Sequence, residues 1–366
     1  MQLIDFINSH EDWEKTLQSA PYNLTIKWSG KYFICNYNMI ESDFHYTEVQ
    51  EARGSIFKWN EKLHKAKYVC HPFNKFFNYG EELAASIDWK FARVTEKIDG
   101  SLMKMWWQDA KWHLSTNGMI DAFAAPVSDF GITFGQLFEK ALGYSIQELG
   151  MFLNKNYTYC FELTTPESRV VIDYDSAVWF LTAFEKMTGY EMDAMAYPRL
   201  DNVRYPHWYD LTSLDDVLKV VNAMDKTHEG VVVADIHSNR IKVKSPEYLM
   251  AAHLRNNGAI TKKKIIEYFR NNQLDDFLAY CPQYKETVEQ IRTAYRAIIE
   301  EIEDECEKVY EAGPYATRKD FALAIKDCKW KSYLFDLYDR PAGELYNPVQ
   351  WLLDMPLQKM ADLIKE

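Results

Sequence analysis

The sequence predicts an α+β fold, with a domain of antiparallel sheets over residues 1–249 and an all-helical domain over 250–366. Three observations carry that expectation. Short β-rich runs alternate with turn signals up to about residue 250. Beyond that point the apolar period becomes three and four, as at Val288, Ile291, Tyr295, Ile298, Ile302 and Val309. Finally, 366 residues that are 47% hydrophobic and 26% charged hold ample apolar mass for a folded core.

The elements follow in chain order. Asn23–Trp28 and Lys31–Asn36 flank Ser29-Gly30, a hairpin signature. Further strands are predicted at Gly54–Lys58, Leu102–Trp107, Trp112–Ser115, Thr158–Leu163, Val170–Asp173, Val178–Phe184, Gly230–Ala234 and Arg240–Lys244. Helices are predicted at Ile132–Leu142 and Ser213–Met224, and in the tail at Lys262–Asn271, Arg318–Lys326 and Pro348–Ile364. The acidic run Glu300–Glu307 reads as a solvated helix face, with a metal cluster as the lesser alternative. Lys262-Lys263-Lys264 suits either a phosphate contact or a solvated helix start.

Several classes are excluded. A net charge of −12 rules out a uniformly basic nucleic-acid binder, though not a local basic cleft. The longest apolar run, Ala177–Phe184, is too short to span a membrane, and the residues from Met1 to Phe6 do not read as a signal peptide. Six scattered cysteines without a C-x-x-C pair fit a reducing compartment, so a cytoplasmic location is expected. No phosphate-binding P-loop, dinucleotide fingerprint, H-E-x-x-H, EF-hand loop or serine elbow occurs.

The informative stretch is Glu96-Lys97-Ile98-Asp99-Gly100-Ser101-Leu102. Downstream, Glu162 interrupts an apolar strand, and alternation puts it opposite Tyr159, Phe161 and Leu163. Glu229 sits at the mouth of Gly230–Ala234. In Arg240–Lys244, period two sends Ile241 and Val243 to the core and leaves Lys242 and Lys244 side by side. Adjacent lysines repel, and a polyanion between them removes that cost; a solvent-facing edge strand is the plain alternative. A lysine attacks only when deprotonated, and its ordinary pKa is about 10.4. Lys242, Lys244 and a metal beside Lys97 would favour the neutral amine. Glu162 and Glu229 are of the type that holds a hard divalent ion or a ribose hydroxyl. Such a set suits a lysine attacking the α-phosphate of a nucleotide.

The order K-x-D-G, F-E, E-G-V-V-V, K-V-K resembles the covalent nucleotidyltransferase superfamily of ligases and capping enzymes. Glu51-Ala52-Arg53-Gly54, Lys75-Phe76-Phe77-Asn78 and Lys244-Ser245-Pro246-Glu247-Tyr248 narrow the resemblance to ATP-dependent RNA ligases of the phage RNA ligase 1 type. That resemblance implies a nucleotidyltransferase domain (an ATP-grasp-like ligase core) before a helical C-terminal domain suited to RNA or tRNA recognition. It implies that Lys97 becomes the lysyl–AMP nucleophile, with Lys242 and Lys244 assisting. Glu96 would accept from adenine, and Asp99 and Gly100 belong to the same nucleotide-binding motif. Arg53 and Lys75 would contact phosphates, Phe77 would pack near the nucleotide, and Tyr248 would meet the triphosphate or RNA end. Glu162 would contact ribose or metal, Glu229 would serve the metal, and Phe184 is either an adenine platform or a core aromatic.

The implied cofactors are ATP and Mg2+, with Mn2+ able to substitute. The implied partner is RNA bearing 5′-phosphate and 3′-hydroxyl ends, a cleaved tRNA among them, with no membrane. The implied state is a monomer in the cytoplasm, the host's if phage-encoded. One position departs: Asn117 stands where the family commonly has a basic residue before a glycine. A GTP-using capping enzyme and an inactive RNA-binding relative are the competing expectations. Against the former, no strand pattern for an OB barrel follows Lys244.

Overall fold

The structure, a computed structural model, describes residues 1–127, 131–249, 262–270, 274, 277–278, 281, 284–340 and 347–364. The chain divides into two compact units, Met1–Gly258 and Ala259–Glu366. The boundary expected at 249/250 falls at the edge of 250–261, outside the described residues.

Among its described residues the first unit contains three sheets. The first runs β1 (Thr25–Ser29), β2 (Tyr32–Asn36), β3 (Arg53–Asn60) and β4 (Lys65–Cys70), antiparallel throughout. Next in the chain come β5 (Phe77–Asn78), β6 (Arg93–Glu96), β7 (Ser101–Gln108), β8 (Lys111–Thr116), β9 (Tyr157–Thr164) and β10 (Ala177–Glu185). They are followed by β11 (Val203–Arg204), β12 (Trp208–Tyr209), β13 (Gly230–Ala234) and β14 (Arg240–Lys244). The second sheet has the order β11-β10-β9-β7-β8 and the third β12-β6-β13-β14-β5. Both are antiparallel except for the short pairings β10/β11 and β14/β5.

Alternation decides which face each sheet buries. Tyr159, Phe161 and Leu163 of β9 join Val178 and Phe180 of β10 against the helix Phe134–Leu142. That helix opens on a Thr133/Gln136 capping box and ends at Gly143 in the left-handed conformation, so its terminal amides and carbonyls are satisfied locally. In the third sheet, Val231, Val233, Ile241 and Val243 pack on Val217 and Val221 of the helix Leu214–Asn222. Each fully buried side chain of this kind contributes roughly 1.5–3 kcal/mol. The opposite face of β9 carries Cys160 and Glu162, and that of β14 carries Lys242 and Lys244, as period two requires. β14 lies between β13 and β5 and is not an edge strand, which removes the plain explanation for its two lysines.

Two expectations are corrected. Val170–Asp173 is not a strand, because the Val171 and Ile172 amides donate to the Asp99 carboxylate at 2.8 and 2.9 Å rather than to a ladder. Pro348–Ile364 forms two helices, Pro348–Asp354 and Leu357–Leu363, split where Pro356 lacks the amide a continuous helix needs. The second unit is otherwise helical as read, including the long helix Lys285–Glu311. Its acidic stretch is mostly exposed, and Glu305 accepts from the Lys329 and Trp330 amides. Among the described residues no helix is long and apolar enough to cross a membrane.

Candidate active site

Lys97 follows β6 directly. Its amide donates to the Gly230 carbonyl at 2.9 Å, which extends the β6/β13 pairing and fixes where the side chain emerges. Its Nζ donates to Glu229 Oε2 at 2.6 Å, and Lys244 Nζ lies 2.8 Å from Glu229 Oε1. Glu229 is 2% exposed. Burial alone would raise its carboxyl, but the charges and hydrogen bonds of Lys244 and Lys97 bring it below the usual carboxylate range. Both of its oxygens therefore serve lysines. Gly230, with φ +139°, lets β13 approach β14 where any Cβ would strike the Val243 carbonyl.

Asp99 and Tyr248 meet each other. Tyr248 donates its hydroxyl to Asp99 Oδ1 at 3.0 Å, while Asp99 Oδ2 takes the Val171 and Ile172 amides. Both residues are buried. The Asp99 carboxyl is raised, first by burial and then by the Glu229 charge. The pair ties the Lys97 turn to the segment after β9 and to Tyr248 beyond β14. Gly100 permits the clamp, since a Cβ there would lie 2.5 Å from the Leu163 carbonyl oxygen.

Glu162 projects from β9, opposite Leu102 of β7. Burial pushes its carboxyl up to about 8, and Glu229 and Asp99 add to the rise, while Lys97 and Arg53 oppose it. The same pattern places Glu162 within electrostatic reach of Lys97, Arg53, Glu229 and Asp99. Arg53 starts β3, with its guanidinium 4.7 and 4.9 Å from the Phe73 and Phe76 ring centroids. Its Nη1 is buried without a partner. Lys242 lies 5.8 Å from the Phe76 ring centroid. Glu96 ends β6, its amide bonded to the His207 carbonyl at 2.8 Å.

The remaining expected residues group elsewhere. Lys75 is buried in an aromatic box, 5.4, 5.1 and 5.4 Å from the rings of Tyr37, Phe44 and Phe77. Cation–π attraction stabilises its charge there. Phe184, 2% exposed, packs with Phe73 and Cys160 beneath Arg240. It packs as a core aromatic, the alternative the sequence reading also held open for it. Lys75, Phe77 and Phe184 line a cavity of about 240 Å³ with Arg240, and Lys97, Glu162 and Glu229 are not part of that lining.

Two residues escape the motif reading. The Tyr174 hydroxyl is buried without a partner and pushed up by burial and by the charges of Glu96, Asp99 and Glu229. Lys104 is fully buried on β7. Tyr174 lies just past a run whose β-branched residues read as a strand, which masked it. Lys104 sits among apolar residues, and that mismatch is the only signal that pointed to it.

Among the described residues no three metal-ligating side chains converge. Glu162, lacking a hydrogen-bond partner and reluctant to ionise, fits a hard cation as one ligand. Glu229 fits one only if a lysine gives up its oxygen. Side-chain atoms of Arg53, Tyr174 and Asn117 are buried without a hydrogen-bond partner.

A buried carboxylate flanked by two lysines, with a raised carboxyl and a partnerless guanidinium nearby, suits handling of a phosphorylated substrate. The comparisons with known proteins specify the class. The RNA ligase family model, of the phage T4 RNA ligase 1 type, matches residues 51–248, and the chain belongs to that family. A candidate bifunctional polynucleotide kinase/RNA ligase of Autographa californica nuclear polyhedrosis virus is 30% identical over 70% of this chain and 38% of its own length. An RNA ligase of Rhodothermus phage RM378 is 23% identical over 98% of this chain and 96% of its own. An archaeal ATP-dependent RNA ligase of known structure is 13% identical, over 94% of this chain and 92% of that one, with a TM-score of 0.47.

Proposed function

We propose that the protein is an ATP-dependent RNA ligase that joins 5′-phosphate and 3′-hydroxyl RNA ends, with Lys97 as the adenylylated nucleophile. The observation that carries this reading is Lys97 Nζ at 2.6 Å from a buried Glu229 that also holds Lys244. Attack needs the amine's lone pair, so Lys97 must leave Glu229 and lose a proton. Lys244 stays on Glu229 and keeps that carboxylate paired meanwhile.

The reaction has three displacements at phosphorus. Lys97 Nζ forms a bond to the α-phosphorus of ATP, the bond to the bridging β-oxygen breaks, and pyrophosphate leaves. The AMP then passes to the RNA 5′-phosphate, which frees the lysine. A 3′-hydroxyl attacks the 5′-phosphate, a phosphodiester forms and AMP departs. Arg53, Lys242 and Lys244 offset the growing phosphate charge, and the Asp99–Tyr248 clamp keeps the Lys97 turn in register for in-line attack. Glu162 would hold Mg2+, which would supply charge neutralisation at the phosphates. In this reading Glu96 accepts from the adenine, and the partnerless Tyr174 hydroxyl bonds to the nucleotide. A cleaved tRNA is the proposed substrate, with the helical unit assisting its recognition and a monomer as the working state.

Labelling tests the reading. The protein, stripped of bound AMP, is incubated with α-labelled ATP or GTP and Mg2+, with Lys97→Ala in parallel. An acid-labile, alkali-stable protein band from ATP that is lost in Lys97→Ala is expected. A band from GTP alone would instead favour capping. Retained RNA binding with no label would favour an inactive binding module.

A further inference from the structure

Lys104 is fully buried, and its Nζ donates to the Gly54 carbonyl. It lies on the face of the second sheet that bears Glu162: Leu102 pairs with Glu162, and two residues on, Lys104 pairs with Cys160. A buried ammonium is costly and is normally retained only beside a counter-charge. Here the groups that face it are Cys70 of β4, Cys160 of β9 and Arg53 of β3. Both thiols are free and buried, and an ordinary thiol is neutral at neutral pH, so they offer no counter-charge. The remaining neighbour, Arg53, is a second cation with a buried, partnerless Nη1.

Asn117 completes the arrangement. A Cβ on Gly54, whose φ is +74°, would collide with Lys104 Nζ and lie 3.1 Å from Asn117 Oδ1. The lysine head and the asparagine side chain thus flank one point on β3, one residue past Arg53. Asn117 Oδ1 is also buried without a partner. A fully buried lysine beside a half-buried arginine, neither hydrogen-bonded to a carboxylate among the described residues and only Arg53 within electrostatic reach of Glu162, leaves positive charge for an anion, and the buried, partnerless Arg53 Nη1 places it at the Arg53 end of the nucleotide face.

We propose that Lys104 is a positioning residue for the nucleotide phosphates, its charge acting through Arg53 and the Gly54 carbonyl in place of the basic side chain that the ligase resemblance leads one to expect at Asn117. The charge sits on β7 rather than just past the end of β8, and it acts from beneath the sheet face. This inference rests on the ligase reading above.

The test compares wild type, Lys104→Met and the double variant Lys104→Met/Asn117→Lys. Adenylylation is measured against ATP concentration, with calorimetric ATP binding and thermal melting alongside. Lys104→Met is expected to raise KM for ATP and the dissociation constant about tenfold, with kcat changed less and a melting temperature no lower than wild type. Returning a cation at Asn117 is expected to restore both constants to within about threefold. Unchanged ATP binding in Lys104→Met, or a loss that the second substitution does not repair, would overturn the proposal. A wild-type chain that binds ATP yet takes no label would sink the ligase reading, while the binding data still judge Lys104.

Discussion

Glu162→Gln should stabilise the nucleotide-free protein, and by an amount that grows with pH. Burial lifts the Glu162 carboxyl to about 8 from an ordinary 4.5, and no hydrogen bond compensates it. The unfolded chain therefore releases this proton well before the folded chain does. Stability is retained below the unfolded value, declines as pH rises from about 4.5 to about 8, and levels off above. At ~1.36 kcal/mol per pKa unit, the carboxylate destabilises the fold by roughly 1 kcal/mol at pH 5, about 3 at pH 7 and up to about 5 at pH 9. Glutamine keeps the shape without the proton. The assay is urea unfolding of both proteins at those three pH values, without nucleotide or divalent ion. Expected is a stability difference that widens with pH in favour of the variant. Parallel stability curves would refute the argument, because they would mean that Glu162 ionises in the folded chain as it does in water. ATP with Mg2+ should narrow the gap, since a cation at the ionised carboxylate stabilises only the wild type.

Two other substitutions probe the clamp on the Lys97 turn. Tyr248→Phe removes the 3.0 Å hydrogen bond to Asp99 and should lower stability by about 1–2 kcal/mol, with slower lysine labelling at saturating ATP. Equal labelling rates would show that the turn holds without it. Gly100→Ala would press a methyl group to 2.5 Å from the Leu163 carbonyl oxygen and 3.0 Å from Glu162 Cγ. It should cost about 1–3 kcal/mol and abolish labelling; a labelled, stable variant would mean the turn has room to move.

Much of the site was legible in the sequence, because the legible part depends on short-range geometry. Successive side chains of a strand point to opposite faces, so the pattern of Arg240–Lys244 alone separates Ile241 and Val243 from Lys242 and Lys244. The same rule sets Glu162 against Phe161 and Leu163, and Ser29-Gly30 marks the first hairpin. The motif order from Arg53 to Tyr248 likewise pointed to the family that residues 51–248 match.

Only the tertiary structure decided what each charge faces. Glu229 and Lys97 are 132 residues apart in the chain, and Asp99 and Tyr248 are 149 apart. No local period reports whether such pairs meet. Val171 and Ile172 have strand propensity, yet a buried carboxylate from a distant turn claims their amides first. Lys75 and Phe184 have residue types suited to a nucleotide, and only the fold shows that aromatic rings surround the one and that the other packs with Phe73 and Cys160. Lys104 looks like an ordinary strand lysine until its neighbours prove to be two neutral thiols and an arginine. The physical reason is common to all of these. Side-chain direction follows from backbone geometry over two or three residues, whereas desolvation and charge pairing are set by whichever distant segments pack around the group.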